Sequence, residues 1–290
     1  MIAAGAAGGL WYRIVGKGAD TVLVPLDLYL GRSIEPLSAT YTLVFYDPRG
    51  RGRSTAYRDS ALTSFAFDVD DMERVRNAVG VSRMSLIGFS YFAAVAAEYA
   101  AAYPERIDRL VLLSPMEPTD SLARLVDASL AMARLDTTRA RQLVRLRAAG
   151  KDTSDAAAYC RTYWAVNAPA YVGDSARAAR FDASFCDLPN ESIRTFAAHV
   201  ARVMASLPTP RDFRTVARRV RAPALVISGQ RDVVMNPDGA SAWAALIPDA
   251  RLLTIAGSGH MLYVDNPDYL IHALRTFLGG AWPSGAVPAR

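Results

Sequence analysis

Uninterrupted apolar runs mark both ends of this 290-residue chain and are missing from its middle. "TVLVPL" (Thr21–Leu26), "YTLVFY" (Tyr41–Tyr46), "MSLIGF" (Met84–Phe89) and "RLVLLS" (Arg109–Ser114) follow one another in the first part, after a strand-like "LWYRIVG". Runs without polar alternation suit strands buried on both faces of a parallel sheet. Between them "TSFAFDVDDMERVRNAVG" and "FAAVAAEYAAAYP" have helical periodicity, the second stopped by Pro104. From 116 to 210 the strand signal is lost, and "SLARLVDASLAMARL", "AAAYCRTYWAV" and "SIRTFAAHVARVMASL" have helical spacing. The first texture returns in "APALVISG", "RLLTIAG" and a last helix "YLIHALRTFL". The pattern predicts an α/β fold, a mostly parallel sheet flanked by helices. Its core takes residues 1–115 and 211–280, a helical insertion takes 116–210, and 281–290 forms a frayed tail.

Composition narrows the function classes. Half of the residues are hydrophobic, enough for a sizeable core, and the net charge is +5. The cations are almost all arginine, with Lys17 and Lys151 the two lysines, and acids are interspersed. No run of five or more like charges occurs, and no basic–aromatic interleaving points to nucleic acid. No apolar run is long enough to span a membrane. "MIAAGAAGGL" lacks a basic start and runs into a strand, so it does not read as a signal peptide. Cys160 and Cys186 lack metal-ligand spacing; free thiols of a cytoplasmic protein are the default reading, with a bond between the two as the other. No metal or other cofactor is expected, and the partner is a small-molecule substrate.

The candidate chemistry centres on "SLIGFSYFAAV", an apolar run followed by Ser90 and an alanine-rich helix. A nucleophilic serine needs a base, and the base needs a third group to hold its tautomer. Of three histidines, His199 and His272 fall within predicted helices, whereas His260 stands in the glycine-rich "GSGHML" after the last strand. Asp232, in "LVISGQRDVV", follows a buried strand, and Glu117 after "LVLLSP" is the rival acid.

The order Ser90, Asp232, His260 is that of the α/β-hydrolase triad. From about Leu10 to Leu278 the chain resembles that superfamily in five features: "GFSYF", "FYDPRGRGRS", "AAYPERIDRLVLLSP", "SGQRD" and "GSGHMLYVDNPD". The "DPRGRGRS" turn resembles the proline iminopeptidase-like branch. Its glycines and Arg49 read mainly as braces, with a direct ligand role for its arginines as the other reading. The resemblance implies that residues 116–210 form a cap over the carboxyl edge of the sheet.

Two positions depart from the family pattern. Where it has His-Gly for the oxyanion hole, this chain has Pro25, Leu26 and Asp27. Pro25 has no N–H to give, so Leu26 and Tyr91 are the expected oxyanion donors. The Asp27 carboxylate would oppose an oxyanion, bind a cationic substrate group, or face solvent. Bulky Phe92 replaces a small residue after the nucleophile and reads as packing or as pocket floor. Asp27, Phe92, Glu117, Tyr163 and Trp164 complete the candidate pocket. The implied activity is cofactor-free serine hydrolysis of an ester, amide or related acyl bond. The alternative is a non-hydrolytic cyclase or lyase on the same fold, using Ser90 and His260 as acid–base groups.

Overall fold

The computed structural model describes residues 1–3, 8–55, 62–120, 135–207 and 211–289. Its strands are β1 (Ile2–Ala3), β2 (Gly9–Val15), β3 (Thr21–Pro25), β4 (Thr42–Asp47), β5 (Met84–Phe89), β6 (Ile107–Leu113), β7 (Ala224–Gly229) and β8 (Ala250–Ile255). They form one sheet in the order β1-β2-β4-β3-β5-β6-β7-β8. β1 and β2 pair antiparallel, and the strands from β4 through β8 are parallel. Every residue of β5 and β7 is buried, as their unbroken apolar text requires.

The chain winds outward from β3 to β4, then crosses back to place β5 on the other side of β3. The carboxyl ends of β3 and β5 therefore diverge at a topological switch point, where open α/β sheets form their crevice. Helices α1 (Asp27–Ile34), α2 (Phe65–Val79) and α3 (Tyr91–Ala102) cover the first half of the sheet. Between β6 and β7 come α4 (Thr137–Ala148), α5 (Lys151–Ser154), α6 (Ala156–Tyr171), α7 (Asn190–Ala205) and α8 (Arg214–Arg219). The Thr119–Asp212 bridge and the Phe213 N–H to Pro118 carbonyl bond at 2.8 Å clasp the ends of that long excursion. The helical text "SLARLVDASLAMARL" falls, except for its last residue, outside the described residues. Helices α9 (Pro237–Leu246), α10 (Leu262–Asp265) and α11 (Pro267–Leu278) complete the chain.

Two expectations need correcting. Residues 281–289 are docked and not frayed. Val287 and Leu252 exchange backbone hydrogen bonds of 2.9 and 2.8 Å, and Trp282 stacks on Phe277 beneath Arg251. An edge strand presents unpaired backbone groups, and the tail satisfies part of the β8 edge. Cys160 and Cys186 are not free thiols but form a disulfide, with Cα atoms 5.6 Å apart. It ties α6 to the short turn at Ser184–Asp187. Within the described residues, no helix is long and apolar enough to cross a membrane.

Candidate active site

Ser90 stands between β5 and α3 with φ 55° and ψ −121°, a backbone conformation strained for any residue with a side chain. Backbone hydrogen bonds to distant segments hold it there. Its N–H donates to the Leu113 carbonyl at 2.9 Å, and its carbonyl accepts from Met116 N–H at 3.2 Å. The turn is tight enough that a Cβ on Gly88 would meet the Phe92 carbonyl oxygen and lie 2.8 Å from both Ala93 Cα and Ala96 Cβ. Gly88 and the small α3 residues thus let strand and helix approach, while Phe92 is buried beside them.

His260 enters from the loop after β8. Its Nε2 lies 3.1 Å from Ser90 Oγ, and its Nδ1 lies 2.9 Å from Asp232 Oδ2. The imidazole and carboxylate are almost wholly buried. Asp232 Oδ1 accepts the N–H groups of Val234 and Met235 at 2.9 and 2.8 Å, which fixes the carboxylate and leaves Oδ2 for the ring. The His260 carbonyl accepts from Ser114 Oγ at 2.9 Å, and Phe89 and Tyr171 pack against the ring. Gly259 is required here, because a Cβ would lie 2.6 Å from the Val172 carbonyl carbon. The loop is braced further by buried Asp265, which accepts the N–H groups of Gly259 and Gly173 at 2.7 and 2.8 Å. A carboxylate held by Arg, His or backbone donors can orient a base, and Asp232 has that geometry.

Ser90 and His260 open into a cavity of about 690 Å³. Its walls are largely apolar and aromatic, and Tyr29, Phe92, Tyr163, Trp164, Tyr171 and Tyr263 contribute. Much of the roof comes from α6 and α7. Burial pushes the Tyr171 and Tyr263 hydroxyls well above the ordinary phenol range, so both remain neutral. Phe92, Tyr163 and Trp164, three of the residues singled out in the sequence, are among those lining the cavity. Tyr29, Tyr171 and Tyr263 went unrecognised, since nothing in the sequence separates them from core aromatics.

Three other expected residues are placed differently. The Leu26 N–H is not an available oxyanion donor: it continues the β3–β4 ladder by donating to the Tyr46 carbonyl at 3.0 Å. Leu26 has φ 66°, the left-handed region that glycine enters freely and leucine enters at a cost of roughly 1 kcal/mol or more. The Asp27 carboxylate is absent from the cavity wall. It accepts from Arg13 Nε at 2.8 Å and from Arg53 Nη1 at 2.9 Å. Gly31 makes room for that pairing, since a Cβ there would collide with Asp27 Oδ1. Glu117 is neither a cavity residue nor the partner of His260. It accepts from Asn236 N–H at 3.1 Å and packs against Gly239 under α9.

The "DPRGRGRS" turn runs beside the elbow. Arg49 forms a two-pronged pair with Asp71, Nε to Oδ2 at 2.7 Å and Nη2 to Oδ1 at 2.5 Å, and lies over the Phe67 ring. Arg51 reaches Asp68 at 2.9 Å through Nη2 and lines the cavity. The Asp47 carboxyl, buried under the turn, is pushed up to about 6 by desolvation, although Arg53 works against this. Among the described residues, no group of three or more His, Cys, Asp or Glu is placed to hold a metal ion.

A family model described as "alpha/beta hydrolase fold" matches residues 26–267. A proline iminopeptidase of Pestalotiopsis fici is 23% identical over 280 residues, spanning 93% of this chain and 95% of that protein. A pimeloyl-[acyl-carrier protein] methyl ester esterase of Xanthomonas axonopodis pv. citri is 40% identical over 67 residues, 23% of this chain and 26% of that protein. Among solved structures, an esterase from Rhodococcus sp. ECU1013 superposes with a TM-score of 0.67 at 22% identity, covering 93% of this chain and 94% of that one. With the family match spanning most of its length and the sheet built in the order described, the chain belongs to the α/β-hydrolase fold family.

Proposed function

We propose that this protein is a serine hydrolase that cleaves carboxylic esters through an acyl-enzyme. The observation that supports this most directly is the unbroken chain of contacts from Ser90 Oγ through His260 to Asp232, opening into an apolar cavity. His260 Nε2 takes the Ser90 proton as Oγ attacks the substrate carbonyl, and then returns it to the leaving alcohol. A water molecule, deprotonated by the same nitrogen, releases the acid. Asp232 keeps a proton on Nδ1 and stabilises the imidazolium as it forms.

The developing oxyanion needs donors fixed in advance. With Leu26 committed to Tyr46, the helix starts supply them: Tyr91 N–H opens α3 and Asp27 N–H opens α1, and first-turn amides have no acceptor within their own helix. Leu26 and Leu28 line the cavity on either side of Asp27. Residues 116–210 act as the cap and set substrate shape. An ester is favoured over an N-terminal peptide because Asp152 is the sole carboxylate among the described residues of the wall, and it faces Arg147 at 4.0 Å. The Cys160–Cys186 bond favours an oxidising location over the cytoplasm.

Fluorophosphonate labelling and turnover of short methyl or p-nitrophenyl esters test the reading. The wild type is expected to label at Ser90, and Ser90→Ala and His260→Ala to lose at least about 10³-fold in turnover. A wild type that neither labels nor accumulates an acyl-enzyme by mass spectrometry would overturn it in favour of non-hydrolytic chemistry.

A further inference from the structure

The two arginines at the front of the "DPRGRGRS" turn are used very differently. Arg49 presents two donors to Asp71 in a matched fork and a third to the Leu62 carbonyl at 3.2 Å, all of it away from the cavity wall. Arg51 is as deeply buried, with its side chain 3% exposed, yet it spends a single bond on Asp68. Its Nε is buried with no hydrogen-bond partner among the described residues. Burying a donor of a charged group without a partner is costly, so such a group in a native fold calls for an explanation.

Position supplies one. Arg51 lines the same cavity as Ser90, and its guanidinium carbon lies 5.1 Å from the Phe92 ring centre and 5.8 Å from that of Tyr91. Those are the two residues that follow the serine, so the cation stands beside the first turn of α3. The other cations on the wall, Arg147 and Arg194, are substantially exposed and have their own acidic partners, Asp152 and Glu191. The Asp68 carboxylate also accepts from Tyr91 Oη at 2.9 Å, which ties the arginine's counter-ion to the elbow helix. Arg51 is thus held in place by Asp68 on one side, while its guanidinium borders a largely apolar chamber.

We infer that Arg51 binds an anionic group of the substrate near the scissile ester, and that the preferred substrates are monoesters of short dicarboxylic acids or esters with an equivalent carboxylate. The inference rests on the hydrolase reading for its chemistry. A carboxylate matches the planar guanidinium fork. A doubly charged phosphate fits less well, because buried Asp68 already balances part of the cation. A neutral acyl chain of the same length would leave the Arg51 donors unpaired, and that difference gives the discrimination.

The test compares kcat/KM for monomethyl succinate, glutarate and adipate with the methyl esters of alkanoic acids of matched length. In the wild type the carboxylate-bearing ester is expected to lead by tenfold or more at its best length. Arg51→Gln should bring that ratio to about one or below, and Arg51→Lys should give an intermediate value, keeping charge but losing the fork. Binding of monomethyl glutarate and methyl pentanoate to Ser90→Ala, by calorimetry, reads the same preference without catalysis. A wild type that favours the neutral ester at every length, or a ratio that survives Arg51→Gln, would overturn the inference. Should Arg51→Gln fail to fold, the wild-type ratio, Arg51→Lys and the Ser90→Ala binding pair decide it. Failure of fluorophosphonate labelling with the calorimetric preference intact would reject the hydrolase reading and keep the anion site.

Discussion

The elbow helix and the roof over it are built on opposite principles. In α3, nine of twelve residues are buried, and the strand that feeds it is buried throughout. In α4, also twelve residues long, none is buried, and neither is any in α5. Val144, Tyr163, Val200 and Met204 leave large apolar side chains exposed on or near the roof, where a cluster around Cys160, Phe185 and Cys186 provides local packing. The floor places Ser90, His260 and Asp232 by backbone hydrogen bonds and glycine contacts that tolerate little change. The roof encloses the cavity with fewer constraints per residue. Under the hydrolase reading, such a division lets the proposed reacting groups stay preorganised while the surface over them varies.

Perturbing the floor should cost most. Gly88→Ala forces a Cβ against the Phe92 carbonyl and the α3 backbone, neither of which can yield. A loss of roughly 3–4 kcal/mol is expected, visible as a large fall in Tm and in Ser90 labelling. A stable, fully labelled Gly88→Ala would show that the floor is as adaptable as the roof. Cutting the roof's tie is next. Replacing Cys160 and Cys186 by serine opens a loop of 26 residues, with an expected loss of about 3 kcal/mol by the chain-entropy argument. Calorimetry should register it, while fluorophosphonate labelling of Ser90 persists and KM for large esters rises. Loss of labelling in that variant would mean the roof helps to hold the nucleophile, which breaks the distinction.

A smaller effect sharpens the picture beneath the elbow. The Asp47 carboxyl titrates near 6 in the folded protein, against 3.8 ordinarily. The folded state therefore binds the extra proton between those values, and stability falls as pH rises through that window. Relative to Asp47→Asn, whose side chain does not titrate, the wild type should be about 2 kcal/mol better placed near pH 4 than near pH 7. Denaturant melts at several pH values measure this, and a difference that does not vary with pH would refute the raised carboxyl.

The legible parts of the molecule were those written in short-range text. "MSLIGF" and "APALVISG" became β5 and β7 because an apolar run of that length has one good use in an α/β core. Ser90, Asp232 and His260 stood out because each sits just past such a strand, and the sheet brings strand ends together. Helix α1 was missed: "DLYLGRSI" is short, contains a glycine, and owes its form to packing against β4 and α10.

By itself the sequence determined the fold class, the strand–helix alternation and the three residues of the catalytic candidate, because periodicity and chain order are local properties. The tertiary structure decided where each remaining polar group points. Leu26 gave its N–H to Tyr46, Asp27 turned to Arg13 and Arg53, and Glu117 went under α9. It joined Cys160 to Cys186 and set Arg51 on the cavity wall. The physical reason is that a buried polar group must find a partner, and which partner lies within 3 Å is settled by how distant segments pack.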